Sequence, residues 1–286
     1  MAPVEPIELT EEHHRRFRTD GVVRVEGAVD PGWVDRILDL ADAQLASPGP
    51  WVGDSAAEAD GPGRLFTDRY LWRDVPIVNQ FVFGSGVGGL AGRLLGAERV
   101  RLYFDHLLIK EPGTPNPTPW HQDIPYWPFL GRQIASVWVS ASDLTVEESS
   151  LEFIRGSHRW DRYFTPRSFT AGGSGWAEDN VGDTLPDIEA GRDGYDIIGF
   201  DVAAGDALVF SAWTVHGSPG NAGPRRRVAL STRWLGDDVV WDPRPTADPS
   251  VTQADTIAVP GAYPADDDRF PVGWERPADE GGPVVS

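Results

Sequence analysis

Apolar positions along this chain follow two different rhythms. Up to about residue 98 they recur mostly at helical spacing. Thr10 can cap a helix running through Glu11-Glu12-His13-His14-Arg15-Arg16-Phe17, and Asp30-Pro31 is an N-cap followed by a first-turn proline. The second helix, from Trp33 to Leu45, is expected to bury a stripe of Val34, Ile37, Leu38, Ala41 and Leu45. Between the two helices Gly21-Val22-Val23-Arg24-Val25 reads as a strand. Residues 47–63, rich in Gly, Pro, Ala and Asp, predict a mobile loop, and 84–96 a glycine-rich turn leading into a short helix. From Arg99 onward short apolar or alternating runs take over, at 100–110, 133–141, 151–154, 197–202, 207–210 and 227–235, separated by turns rich in Gly and Pro. Many short strands with such turns predict a mainly β sandwich or jelly roll with N-terminal helices packed outside. The expected organisation is one domain over 1–286: a helical region at about 8–98, a β core at about 99–241 and a Pro/Asp-rich tail at 242–286, with Phe270 and Trp274 as anchors. The stretch from Arg159 to Arg192 has little periodicity, as in a lid or binding loop.

Within that pattern a few polar residues stand where a packed core would not put them. The last strand alternates Val228, Leu230, Thr232 and Trp234 against Arg227, Ala229, Ser231 and Arg233. A polar face in so apolar a setting suggests the lining of a site, where an arginine can hold a carboxylate in a two-pronged ion pair. Upstream, Trp120-His121-Gln122-Asp123 places an imidazole and a carboxylate two residues apart. If the segment is a strand, both point to one face. His-x-Asp alone is a common tripeptide. His216, following the buried run from Ala207 to Phe210 and preceding a turn at 217–224, can bring a second imidazole. Two histidines and one carboxylate on one side of an octahedral ion leave three positions open, the usual mark of a non-heme Fe(II) oxygenase. Zinc accepts the same residue types.

The remaining candidates have plainer readings. His13 and His14 belong on a charged helix face, His106 reads as a satisfied core histidine that could instead point into the pocket, and His158 as a structural residue at a turn. Arg225 and Arg226 compete with Arg227, but strand parity puts Arg226 on the opposite face and Arg225 in the turn. Arg233 reads as a supporting residue, Lys110 as an exposed strand-end lysine, and Glu147, Glu148 and Glu152 as a charged turn. Twelve tryptophans are many, and most must pack the core. Trp120, Tyr126, Trp127 and Phe129, flanking the first two candidate ligands, are placed to wall a substrate pocket.

Composition narrows the classes further. There are no cysteines, which removes disulfides, thiolate metal sites and cysteine nucleophiles and fits a cytoplasmic protein. No stretch has the length of a membrane span, and the N-terminus lacks the basic start and apolar run of a signal peptide. With 44 acidic and 25 basic residues the net charge is −19, which argues against nucleic acid as a partner.

The run His121-Gln122-Asp123-Ile124-Pro125-Tyr126-Trp127-Pro128, the later Gly156-Ser157-His158 and the segment 205–234 together resemble the phytanoyl-CoA dioxygenase family, from about Thr10 to Trp241. The resemblance implies a double-stranded β-helix and an Fe(II)- and 2-oxoglutarate-dependent dioxygenase. It assigns His121, Asp123 and His216 to the metal. Arg227, eleven positions after His216, would hold the far carboxylate of 2-oxoglutarate, with Ser218 and Trp138 touching the same cosubstrate. Halogenating relatives replace the carboxylate with a small residue, and this chain keeps Asp123. The expected activity is hydroxylation of a small organic molecule with O₂, releasing succinate and CO₂. The same cofactor chemistry also allows epimerisation, cyclisation or desaturation, and a non-catalytic jelly-roll binding module is the reading from another class.

Overall fold

In the computed structural model the described residues are 7–55, 63–115, 117–166, 182–244 and 247–278. Helix α1 (Glu11–Asp20) starts at Thr10, whose side chain accepts from the His13 N–H while the His13 ring caps the Thr10 N–H in return. It stops at Gly21, which adopts φ +82° and returns its N–H to the Phe17 carbonyl. A Cβ at Gly21 would collide with His158 Nδ1 and Thr214 Oγ1. The left-handed cap therefore also lets the chain pass against the segment that leads to His216. Strand β1 (Val22–Val25) follows.

Asp30 caps α2 (Pro31–Ala46) through the Trp33 N–H. Its buried stripe is Ile37, Leu40, Ala41 and Gln44, with Val34 and Leu45 partly buried beside it. Leu38, expected in that stripe, is 38% exposed. Neighbouring residues on a helix point about 100° apart, so a stripe centred on Ile37, Ala41 and Gln44 takes Leu40 rather than Leu38. Helices α3 (Pro76–Gly84) and α4 (Val87–Leu95) complete the layer. The first has no counterpart in the sequence reading. Among the described residues no helix is long and apolar enough to cross a membrane.

The strands after β1 are β2 (Gly53–Asp54), β3 (Leu65–Arg69), β4 (Arg99–Lys110), β5 (Thr118–His121), β6 (Phe129–Leu130), β7 (Ile134–Ser140), β8 (Glu152–Ile154), β9 (Ile197–Gly199), β10 (Ala207–Ser211), β11 (His216–Ser218), β12 (Arg227–Leu235), β13 (Val240–Trp241) and β14 (Val272–Glu275). The larger sheet runs β1-β10-β7-β12-β4-β3-β2, with β14 also on β4, and the smaller runs β5-β11-β8-β9; all pairs are antiparallel. This is a jelly roll with helices against one face. Ile37, Phe81, Val87 and Leu90 pack on the outer side of the larger sheet, against Leu102, Val137, Val209 and Leu230. The region expected to be helical thus also supplies β1 at one edge and β2–β3 beside β4. Of the loop expected over 47–63, Gly53–Asp54 form a strand, and 56–62 lie outside the described residues.

Two apolar clusters close the interior. Trp138, Phe153, Leu208 and Phe210 bridge the two sheets, while Tyr103, Phe129, Trp241 and Phe270 fill another part. Burying side chains of this size contributes about 1.5–3 kcal/mol each. Phe270 is fully buried, and Trp274 on β14 lies so close to α4 that a Cβ at Gly92 would strike its ring. Both tail aromatics therefore anchor, and the tail adds a strand to the larger sheet.

Candidate active site

His121 is the last residue of β5, and it pairs directly opposite His216, the first residue of β11. Their ring centroids are 4.2 Å apart. Each Nδ1 lies against the carbonyl two residues before its own: His121 against Pro119 O at 2.8 Å, His216 against Thr214 O at 2.9 Å. A carbonyl can only accept, so in both rings Nδ1 carries a proton, and in the neutral form of each ring the lone pair lies on Nε2. Both Nε2 atoms face Asp123 Oδ1, at 3.5 Å from His121 and 4.0 Å from His216.

Asp123 reaches that point differently from the sequence expectation. The strand ends at His121, and Asp123 has φ −75° and ψ −38°, the start of a short 3₁₀ turn over Ile124–Tyr126. The two residues therefore do not share a strand face. The turn is held by two N–H groups, those of Asp123 and Ile124, which both donate to Ala212 O at 3.0 Å. Gln122 is buried and fastens three segments: its amide donates to Arg162 O and Trp213 O, and its carbonyl accepts from Phe164 N–H. Ser136 on β7 donates to Asp123 Oδ2 at 2.9 Å, which leaves Oδ1 for the histidines' side. Candidate ligand atoms from His121, Asp123 and His216 all lie within 4.8 Å of one another.

The electrostatics suit a metal. Burial pushes the His216 imidazole down to about 3, and the neighbouring His121 adds to the effect. The ring is therefore a neutral donor at ordinary pH. Burial alone would raise Asp123, but the His121 imidazole, then the fields of His216 and Arg233, hold it below the usual carboxylate range.

A second constellation lies on the inner face of β12. Arg227 is 2% exposed, and among the described residues its Nε has no partner. Nη1 reaches only the Ser149 carbonyl at 3.3 Å, and the guanidinium lies 5.9 Å from the Trp138 ring centroid. Directly across the ladder stands Lys110. Expected at an exposed strand end, Lys110 is instead fully buried, because β3 covers it on one side and β12 on the other. Its Nζ donates to Ser218 Oγ and Pro219 O, both at 2.8 Å, and Ser218 Oγ donates on to Thr118 Oγ1. Burial depresses both cations, Arg227 to about 10, and Lys110 is lowered further by Arg227 itself. Among the described residues neither has a carboxylate partner. The competing arginines do: Arg226 pairs with Asp42 and Glu111, and Arg225 with Glu148.

Further along the same face, Ser231 lies opposite both His106 and Trp138, and among the described residues Ser231 Oγ, His106 Nε2 and Trp138 Nε1 all lack partners. His106 is thus not the satisfied core histidine expected. The interior between the metal constellation and Arg227 is lined with polar atoms that have nothing to bond. That is the mark of a site shaped for a polar ligand.

The aromatics divide. Trp120 and Tyr126 line a shallow cleft beside His121, together with Phe164 and Leu185. Trp127 and Phe129, expected to wall the substrate pocket, are packed instead with Tyr103 in the aromatic core. Phe164 and Leu185 belong to the stretch expected to act as a lid, of which 167–181 lie outside the described residues. Glu152 lies on β8, inside the strand expected over 151–154, and is bound by Arg192 at 2.6 Å. His158 bonds the Arg18 carbonyl through Nε2, consistent with a structural residue. Ser136 and Gln122 carry roles that the sequence reading left unassigned. For Ser136 parity with Trp138 on the same strand was the available signal.

Comparison with known proteins places this geometry. The family model described as phytanoyl-CoA dioxygenase (PhyH) matches residues 17–229. Comparison with curated proteins returns no match. Among solved structures, the chain is similar to SnoK, a non-heme α-ketoglutarate-dependent carbocyclase from nogalamycin biosynthesis, at 20% identity and a TM-score of 0.73, over 95% of this chain and 99% of that one. It is similar to the epimerase SnoN in complex with Fe³⁺, α-ketoglutarate (2-oxoglutarate) and nogalamycin RO, at 23% identity and TM-score 0.70, over 92% and 98%. EctD from S. alaskensis with bound Fe aligns at 17% identity and TM-score 0.65, over 86% and 83%. At these identities the likeness establishes the shared jelly-roll fold.

Proposed function

The chain belongs to the phytanoyl-CoA dioxygenase family of Fe(II)- and 2-oxoglutarate-dependent enzymes, and on that premise we propose that it hydroxylates a small organic molecule at the His121–Asp123–His216 centre. The observation that carries this reading is the pairing of a three-ligand set with two buried cations that have no counter-ion among the described residues. The residues fit both groups. Two imidazoles and one carboxylate suit Fe(II), and Arg227, whose Nε has no partner among the described residues, suits the far carboxylate of a dianion.

Held by His121, Asp123 and His216, iron together with 2-oxoglutarate and O₂ would supply the oxidation of a substrate C–H bond, with succinate and CO₂ as the co-products. The protein holds the parts in place. His121 and His216 present Nε2 because their backbone carbonyl partners fix the Nδ1–H tautomer. Ser136 holds Asp123 so that Oδ1 faces the imidazoles. Arg227 anchors the cosubstrate, with Lys110 and Ser218 behind it and Trp138 as a wall. The two sheets keep this interior dry, which strengthens every charge interaction within it. Trp120 and Tyr126 border the cleft through which a small substrate reaches His121.

The test uses the full chain. It should bind one equivalent of 2-oxoglutarate only when Fe(II) or Mn(II) is present, and His121→Ala or His216→Ala should lose that dependence. With Fe(II) and ¹⁸O₂, product should carry label and succinate should form. Zn(II) should give neither. Metal-independent binding of 2-oxoglutarate, or turnover with Zn(II), would overturn the reading. Succinate formation with an unlabelled product would instead favour epimerisation, cyclisation or desaturation.

A further inference from the structure

Arg233 is a second buried arginine on the inner face of β12, and the cosubstrate anchor leaves it unused. It stands across the ladder from Ser136, the residue that holds Asp123. It is 7% exposed, and among the described residues neither its Nε nor its Nη1 has a hydrogen-bond partner. The guanidinium carbon sits 5.0 Å from the Phe104 ring centroid, and Tyr70 stacks on the same ring.

The carboxylates whose charge it feels, Asp123 and Asp105, are engaged elsewhere. Asp123 takes the Ser136 hydroxyl and faces the two imidazoles. Asp105 accepts from the backbone N–H groups of Leu71 at 2.7 Å and Trp72 at 3.1 Å. The neighbouring cation Arg69 is bound by Asp248 at 2.6 Å. Among the described residues Arg233 forms no ion pair. A residue serving only to neutralise Asp123 would lay its planar fork on that carboxylate, and this one does not. A guanidinium carries five donors and cannot shed its charge, so its burial with donors open calls for an oxyanion that arrives from outside.

We propose that Arg233 receives an anionic group of the substrate, of carboxylate type, on the flank of the metal centre away from Arg227; this rests on Arg227 holding 2-oxoglutarate. The two arginines are six positions apart on one extended strand, roughly 20 Å between Cα atoms at the usual rise per residue. A five-carbon dianion seated at Arg227 leaves Arg233 free. The aromatic floor of Phe104 and Tyr70 beneath it suits an apolar body attached to the anionic group. The substrate class this assigns is a small organic acid.

The experiment is anion binding to the full chain loaded with Mn(II) and saturated with 2-oxoglutarate, so that Arg227 is occupied. Trifluoroacetate is the probe, read by ¹⁹F NMR, with neutral trifluoroacetamide as control. Wild type should bind trifluoroacetate saturably and trifluoroacetamide at least tenfold more weakly. Arg233→Met should weaken trifluoroacetate at least tenfold, and Arg233→Lys should recover part of the loss. Calorimetric affinity for 2-oxoglutarate should stay within threefold in all three proteins, which also shows that each is folded. Absent or unchanged trifluoroacetate binding, or equal binding of the neutral amide, overturns the proposal. Failure of the cosubstrate reading has a different signature, 2-oxoglutarate affinity lost in Arg233→Met and retained in Arg227→Met.

Discussion

Replacing Arg227 by methionine should move stability and cosubstrate affinity in opposite directions. In the ligand-free protein the guanidinium is 2% exposed, has one long bond to Ser149 and faces a second buried cation, Lys110. Its desolvation cost is already incurred before any ligand arrives. Exchanging such a charge for an apolar side chain of similar length is neutral or stabilising, by about 1–4 kcal/mol in comparable buried sites. It also relieves the repulsion felt by Lys110. Cosubstrate binding should suffer, because the carboxylate then enters a dry site lacking its forked partner. Removing one member of a buried, hydrogen-bonded charge pair costs about 2–5 kcal/mol. Lys110 remains to offset part of this, so a loss near 2–4 kcal/mol is expected, about 30- to 1000-fold in affinity.

Arg226 supplies the control. Its side chain is 38% exposed and held by Asp42 and Glu111 at the surface, where such pairs contribute about 0–1 kcal/mol. Arg226→Met should leave 2-oxoglutarate affinity within twofold. The assay is calorimetric titration of 2-oxoglutarate into Mn(II)-loaded protein, beside chemical denaturation of the ligand-free variants. A parallel loss of stability and affinity in Arg227→Met would mean a structural arginine. Equal effects of the two substitutions would refute the strand-parity reasoning itself.

Ser136→Ala should weaken metal binding about tenfold, the lower end of what an outer hydrogen bond to a ligand is worth, measured by competition with a chelator; unchanged affinity would mean that Asp123 needs no such support. Because burial lowers His216 from 6.5 to about 3, the unfolded chain binds an extra proton between those values. Stability of the metal-free protein from this group is therefore full above pH 6.5 and declines as the pH falls toward 3, by at most about 1.4 kcal/mol per pH unit. Denaturant midpoints at pH 5 and 7 should differ more in wild type than in His216→Gln, and equal differences would show that His216 does not titrate this way. Gly21→Ala should destabilise by more than the 1–2 kcal/mol of a left-handed backbone alone, since the new Cβ also meets His158. A second change, His158→Ala, should return part of the loss in thermal denaturation.

What the sequence revealed follows from how local each determinant is. The strands of the β core announce themselves by apolar alternation, and Arg227 differs from Arg226 because it already lies in the ladder opposite Lys110, while Arg226 precedes the strand and pairs with Asp42 and Glu111. Parity failed at His121 and Asp123 for the converse reason: the strand ends at the first of them, and two bonds to Ala212, far away in sequence, set the turn. Short edge strands such as β2 and β14 carry almost no internal signal, because their pairing partner makes them strands. The burial of Lys110 was equally hidden, since it depends on β3 and β12 flanking it at once.

Charge shows most clearly where composition stops being informative. A net charge of −19 describes the field that an approaching ligand meets, and at physiological salt that field decays over about 8 Å. Inside the jelly roll the balance reverses. Arg227, Arg233 and Lys110 are all buried there, each lacking an ion pair among the described residues, while Asp123 and Asp105 are occupied by hydrogen bonds. Coulomb interactions in such an interior are several times stronger than at the surface, so a few buried cations outweigh many solvated carboxylates at contact distance. The two fields act on different stages of binding. The acidic exterior slows encounter with an anion, and the cationic interior governs how long a bound anion stays. A chain whose composition argues against anionic ligands can therefore hold one, or two, at its centre.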